Sequence, residues 1–439
     1  MSLPSTMPST MPSPGAPPSD PRLARCRRDP REFALLIGQL ALALLVFWVF
    51  RLHELFGDGL WRVNLLSAAG FAVHYWLPLR FKEPWFIALS LSALPWLAGI
   101  AAGAWLLGIG LVFFVIGRSA LAQRWRVGLT LLVVVPCVIG RARGLPGFPA
   151  ELWPLVGSVF LFRLPIWLYD RRHMRAPPRL ADFLAYCFML PNWGLLLFPV
   201  VDFHTQRKSF LAREQGKVAQ EGLLSIARGV LHLAIYVRLY NSDAVAPDPF
   251  EITGPLALLA CMVRVYLLYL RLSGTFHFVI GLLQLFGYDL PPTHRAWLLS
   301  SSLTDFWRRI NIYWKDFMVK LVWFPCYFRW RRSGDHRAQI AATALVFVVT
   351  WFLHAAQTFF LTGTFLLRET DVAFWSILGL LVMGNLALEL RRGSAAPPVG
   401  LRRGLGIAGT FTLLTLLWSM WNSQSFDDWF DLLTWWRVG

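Results

Sequence analysis

The residue of this chain best placed for proton chemistry is His354, inside TALVFVVTWFLHAAQTFFLTG, residues 343–363. That run is otherwise apolar enough to cross a bilayer. An imidazole in hydrocarbon is unfavourable unless it meets a partner or a cavity. An imidazole also titrates near neutral pH, so a group of this kind can accept and return a proton. Two readings stand side by side: a core histidine bonded to a neighbouring helix, or a group lining an internal cavity. Gln357, three residues on, falls on the same helical face and suggests a polar stripe turned inward.

A second concentration of chemistry lies at residues 291–332, PPTHRAWLLSSSLTDFWRRINIYWKDFMVKLVWFPCYFRWRR. Asp305, Arg308, Arg309, Lys315, Asp316 and Lys320 stand there among Trp, Phe and Tyr. A lipid-facing span does not hold so many charges, each costing at least a few kcal/mol. The stretch is therefore expected at the interface, re-entering the membrane within protein, or along a watery cavity.

The rest of the chain must position these groups. Of 439 residues, 56% are hydrophobic and only 15% charged, with 22 Trp and 34 Phe. Soluble domains carry about 25% charged residues, so the surplus of large apolar groups points to an outer surface of lipid. The net charge is +17, but the basic residues come in short clusters between apolar runs. Examples are Arg25, Arg27, Arg28 and Arg31, and later Arg171, Arg172, Arg175 and Arg179. Loops facing anionic lipid on the cytoplasmic side show that pattern, and nucleic acid is excluded as a partner. The five cysteines, Cys26, Cys137, Cys187, Cys261 and Cys326, are far apart and form no CxxC pair, so neither a disulfide framework nor a zinc site is expected. No histidine has a partner at HxxxH or HxxE spacing, and no metal is expected.

Apolar runs long enough to span start near Phe33, Asn64, Trp85, Ala101, Val127, Leu152, Ala181, Gly222, Glu251, Gly274, Ile340, Val372 and Gly404. Several are short or interrupted, so the expectation is an all-α bundle of about ten to twelve crossings, with re-entrant or interfacial helices around a central cavity. Residues 1–31, rich in Pro, Ser and Arg, read as a disordered cytoplasmic tail, and 32–439 as a single membrane-embedded domain. His53, His173, His204, His294 and His336 sit near charged loops and are expected in solvent; His74, His232 and His277 lie in apolar stretches and are candidates for lining the cavity. No repeat symmetry between halves is evident, which disfavours an inverted-repeat transporter.

Residues 266–317, YLLYLRLSGTFHFVIGLLQLFGYDLPPTHRAWLLSSSLTDFWRRINIYWKDF, resemble the signature core of the membrane-bound O-acyltransferase family. The matching elements are Ser273-Gly274, the turn from Gly281 to Pro291, and Phe306-Trp307-Arg308-Arg309. Asn311 and His354 stand where that family places a conserved Asn or His and, further on, a histidine deep in an apolar helix. A weaker echo is FMLPNWGLLLFPVVDFHTQRKSF, residues 188–210. The resemblance covers about 155–365. The chain departs from the polysaccharide-acetylating branch in having Ile310-Asn311 in place of a Trp-His pair, and Trp351 three residues ahead of His354 rather than next to it.

The resemblance implies acyl transfer from a thioester, acyl-coenzyme A or an acyl carrier, to a hydroxyl of a carbohydrate, lipid or small molecule. It implies no cofactor beyond that donor, membrane lipid as surroundings, and a bacterial inner membrane; the Arg cluster before Phe33 places the N-terminus on the cytoplasmic side. His354 would act as general base. Asn311 would orient it, hold the acceptor, or donate to the developing oxyanion. Arg308, Arg309 and Lys315 would bind donor phosphates or anchor to headgroups. Trp307, Asp305 and Gln357 complete the candidate binding set. Outside this class, the alternatives are a polytopic transporter and a catalytically silent scaffold.

Overall fold

In the computed structural model the described residues are 21–55, 58–145, 148, 150, 152–190, 201–240, 252, 254–365, 367–393 and 399–434. They are helical throughout, with no strand beyond one isolated bridge between Phe210 and Tyr288. The chain runs α1 (Arg22–Arg25), α2 (Pro30–Val49), α3 (Asp58–Trp76), α4 (Leu79–Ala98), α5 (Ile100–Arg118), α6 (Gln123–Arg143), α7 (Leu152–His173), α8 (Leu180–Cys187), α9 (Phe203–Ser209), α10 (Gln215–Tyr240), α11 (Pro255–Leu267), α12 (Tyr269–Leu285), α13 (Leu303–Arg309), α14 (Ile312–Met318), α15 (Phe324–Trp330), α16 (Asp335–Thr362), α17 (Glu369–Arg392), α18 (Gly400–Asn422) and α19 (Phe426–Leu433).

Among the described residues nine helices are long and apolar enough to cross a membrane: α2, α5, α6, α7, α10, α11 with α12 as one unit, α16, α17 and α18. The chain is a multi-pass integral membrane protein. Helices α3 and α4 are equally long but less apolar, with Arg62 in one and Arg80, Lys82 and Glu83 in the other. Two expected spans do not exist separately. Ala181 lies in α8, only eight residues long, and Gly274 lies inside α12. The segment expected as a disordered tail is helical at Arg22–Arg25, and α2 already starts at Pro30, where the Asp29 side chain accepts from the Arg31 N–H and proline suits the first helical position. Residues 1–20 of that segment lie outside the described residues, as do 191–200 of the phenylalanine-proline echo.

Residues 291–332 contribute none of the long apolar helices. They form a 3₁₀ turn at Trp297–Leu299, then α13, α14, a π-helical turn at Val319–Trp323, and α15. π-Turns relieve strain at positions a regular helix cannot serve and cluster at functional sites. Here the turn carries Lys320, which pairs with Asp170 of α7 at 2.5 Å and with Asp202 at 3.2 Å. The Gly281–Pro291 turn is anchored to the segment before α10. Leu211 N–H donates to Gly287 O, Asp289 N–H donates to Ser209 O, and Arg213 holds Asp289 on one side and Glu221 on the other. Gly287 takes φ 85°, open to glycine without strain.

Candidate active site

His354 sits about two thirds of the way along α16, and its environment decides its tautomer. Nδ1 lies 2.9 Å from the Thr350 carbonyl one turn back. A carbonyl only accepts, so Nδ1 carries the proton and Nε2 of the neutral ring keeps a lone pair. The ring is packed edge-on against Trp314 at 5.2 Å and lies 4.9 Å from Trp375. It forms part of the wall of a cavity of ≈ 360 Å³ between α11–α12, α16, α17 and α18. Of the two readings open for this histidine, the structure has the cavity.

Part of the cavity lining is polar, and no sequence expectation named it. Asp371, in the first turn of α17, accepts from Trp421 Nε1 at 2.6 Å and pairs with Arg368 at 3.3 Å. Asp371, Arg368, Trp375, Trp418, Trp421 and Tyr269 all line the cavity with His354. One signal was available: an Arg and an Asp three apart immediately before the α17 apolar run. A charged pair at such a junction also suits an interfacial helix start, and nothing local tells the two apart.

Asn311 is not among the residues lining this cavity. It holds a left-handed conformation (φ 39°, ψ 63°) in the break between α13 and α14, and its Oδ1 accepts from the Trp314 N–H at 3.2 Å. Asparagine tolerates this backbone region better than most residues. Arg308, Asn311 and Lys315 therefore do not share one helical face, because no helix runs through all three. The link to His354 passes through Trp314. Asn311 caps the helix that carries Trp314, Trp314 Nε1 donates to Thr350 Oγ1 at 3.3 Å, and its ring meets the imidazole. Asn311→Asp keeps the capping acceptor and adds a charge that a helix N-terminus favours. It is expected to stay closer to wild type in stability and turnover than Asn311→Ala, which loses roughly 1 kcal/mol of capping. Thermal melts and initial rates of the two variants check this ordering.

The remaining expected binding residues are spread outside the cavity. Asp305 accepts from Arg309 at 2.6 Å and from the Ser301 N–H. Arg308 pairs with Glu389 of α17 at 2.9 Å, and Lys315 with Asp316 at 2.9 Å. Trp307 packs on Phe347 at 4.8 Å. Gln357 is partly buried one turn beyond His354 but does not line the cavity. Among the histidines, His294 corrects an expectation. It is 7% exposed rather than solvated, boxed in by Tyr269, Phe276 and His277. His74 is fully buried against Phe286, away from the cavity.

No family model matches the chain. Two curated proteins are similar to it. One, described as a probable alginate O-acetylase of Pseudomonas fluorescens, is 28% identical over 226 residues, 48% of this chain and 44% of that protein. The other, described in the same words, is from Azotobacter vinelandii, 26% identical over 283 residues, 57% of this chain and 48% of that protein. The chain thus spans about half the length of the curated relatives it matches. Both relatives are described as O-acetylases, in agreement with the resemblance to membrane-bound O-acyltransferases carried by the motifs around Arg308, Asn311 and His354.

Proposed function

We propose that this protein is an O-acyltransferase that moves an acyl group from a thioester to a hydroxyl, with His354 as general base. The observation that carries the reading is the Nδ1 bond to Thr350 O, which leaves a basic Nε2 on a histidine at the wall of a cavity. Nε2 takes the proton of the acceptor hydroxyl as its oxygen attacks the thioester carbonyl. The tetrahedral adduct collapses, the C–S bond breaks, and the departing sulfur takes the proton back from the imidazolium. The positive charge on the ring between these steps is favoured by a carboxylate in the same cavity, and Asp371 is that carboxylate.

The aromatic walls, Trp351, Trp375, Trp418 and Trp421, offer an acyl chain apolar contact. Arg308, Arg309 and Lys315 each have a carboxylate partner, so they meet donor phosphates only by exchanging it. Asn311 acts through Trp314 rather than on the substrate. The relatives' names bring a carbohydrate hydroxyl forward as the first acceptor to try, and the Arg25–Arg31 cluster keeps the N-terminus on the cytoplasmic side.

The test is purified protein in lipid vesicles with acetyl-coenzyme A, with and without oligosaccharide, reading free thiol and acylated product. Thiol release that depends on intact His354 supports the proposal, and a folded protein that leaves the thioester untouched overturns it. Asp371→Asn, which removes the charge but keeps an acceptor for Trp421, is expected to lower kcat about tenfold, the effect of 1.36 kcal/mol less imidazolium stabilisation. Unchanged kcat in that variant leaves Asp371 as a structural partner of Trp421 and Arg368 alone.

A further inference from the structure

Tyr269 shares the cavity with His354, and the chain of groups behind it directs its hydroxyl hydrogen. The phenol oxygen lies 3.0 Å from His294 Nε2, and His294 Nδ1 lies 2.9 Å from Thr293 Oγ1, so both ring nitrogens are engaged. Two hydrogen arrangements fit these distances. In one, Tyr269 donates to Nε2 and Nδ1–H donates to Thr293. The Thr293 hydroxyl hydrogen is then left over, on a side chain 1% exposed whose partner among the described residues is this same nitrogen. A buried donor without an acceptor is costly. In the other, Thr293 donates to Nδ1, Nε2–H donates to the phenol oxygen, and the phenol O–H is free to enter the cavity. The second arrangement pairs Thr293 and both ring nitrogens, and it moves the one hydrogen without a protein acceptor from the buried Thr293 to Tyr269, which lines the cavity. Burial, together with nearby His277 and His232, holds the His294 pKa well below the ordinary histidine value. A neutral ring is what the relay requires, since an imidazolium has no lone pair to accept from Thr293.

We propose that Tyr269 is the hydrogen-bond donor to the carbonyl oxygen of the reacting acyl group, with His294 and Thr293 as positioning residues that set the direction of its O–H. This rests on the acyl-transfer reading. When the acceptor oxygen bonds to the carbonyl carbon, negative charge moves onto the carbonyl oxygen, and the Tyr269 O–H meets it. When the C–S bond breaks, the electron pair leaves on sulfur and the carbonyl reforms. Tyr269 keeps its own proton throughout, and the only proton transferred passes through His354. The phenol is held for this role by the Trp297 ring at 5.0 Å and the stacked Trp418 ring at 5.8 Å, so it is preorganised before substrate arrives.

The experiment compares wild type, Tyr269→Phe, His294→Gln, His294→Leu and His354→Ala in vesicles with acetyl-coenzyme A, reading kcat and KM from thiol release. Tyr269→Phe retains both ring contacts and is expected to fold. Its kcat is expected to fall about 100- to 1,000-fold with KM unchanged, the usual consequence of losing one donor to an oxyanion. His294→Leu is expected to lower kcat, and His294→Gln to recover part of the loss, because its amide N–H donates to the phenol oxygen as Nε2–H does. If Tyr269→Phe turns over at the wild-type rate where His354→Ala is inactive, the inference falls and the acyl-transfer reading stands. A raised KM with unchanged kcat also overturns it, by making Tyr269 a ground-state contact. A folded wild type that releases no thiol overturns both.

Discussion

Replacing His354 with alanine is expected to cut acyl transfer about 100- to 10,000-fold, the range for losing a general base, while the protein remains folded and inserted. The two halves of this expectation have separate grounds. The activity loss follows from tautomer and place: Nδ1 is committed to Thr350 O, so Nε2 is the nitrogen left for a substrate proton, and the ring lines the cavity. Retention of fold follows from how little else the side chain holds. Its one hydrogen bond is to its own helix, and the α16 backbone does not need it. The rings around it also support one another, Phe374 stacking on Trp421 at 4.4 Å and Trp314 on Phe317 at 5.6 Å. His354→Gln separates the roles further, since an amide can donate and accept but cannot take up a proton. Both variants should elute from a detergent column like wild type, and both should be inactive in thiol release. Wild-type turnover in either leaves His354 as a core residue only.

How much of this was legible in the sequence depended on whether the cue was local. His354 stood out because one polar group in an apolar run needs a reason, and residues 291–332 because their charges do not fit lipid. Both expectations rest on desolvation, which acts on a segment wherever it packs. The break between α13 and α14 at Asn311 has no such local cue. The turn at Ile310–Asn311 is stabilised from outside, by Ile312 N–H donating to Thr293 O and Arg295 N–H donating to Arg309 O. His294 is expected in solvent because it sits near a charged loop. The rings of Tyr269 and Phe276, both from α12, bury it instead. Much of the cavity lining comes from α17 and α18, so Asp371 and Trp421 join His354 only through packing.

Enlarging the glycines between α10 and α12 is expected to be the most damaging change away from the cavity. Gly222 and Gly229 lie seven apart on α10, and Gly274 and Gly281 seven apart on α12, so each pair keeps to one face over two turns. The four meet. A Cβ on Gly229 would lie 2.7 Å from both Gly274 O and Phe278 N, and one on Gly281 would lie 2.5 Å from Gly222 O. These neighbours are backbone atoms and cannot swing aside, so the helices would have to separate. Between helices in lipid, close packing and polar bonds drive association where hydrophobic burial does not, and small residues permit the close approach. The same seam holds His232 Nδ1 2.7 Å from Ser273 Oγ and Ser225 Oγ 3.1 Å from Gln284 Oε1. Gly229→Ala and Gly281→Ala are each expected to lose about 1–3 kcal/mol by overpacking, and leucine at either position to prevent assembly. The control is Gly108→Ala in α5 or Gly409→Ala in α18, where an added Cβ meets nothing within 4 Å. There alanine is expected to be neutral or stabilising by up to about 1 kcal/mol, from helix propensity. Thermal melts in detergent distinguish the two sets, and seam variants as stable as the controls would mean that α10 and α12 do not approach this closely. Because α12 begins at Tyr269, loosening the seam also shifts one wall of the cavity, so surviving Gly229→Ala protein is expected to lose turnover in excess of its loss of folded fraction.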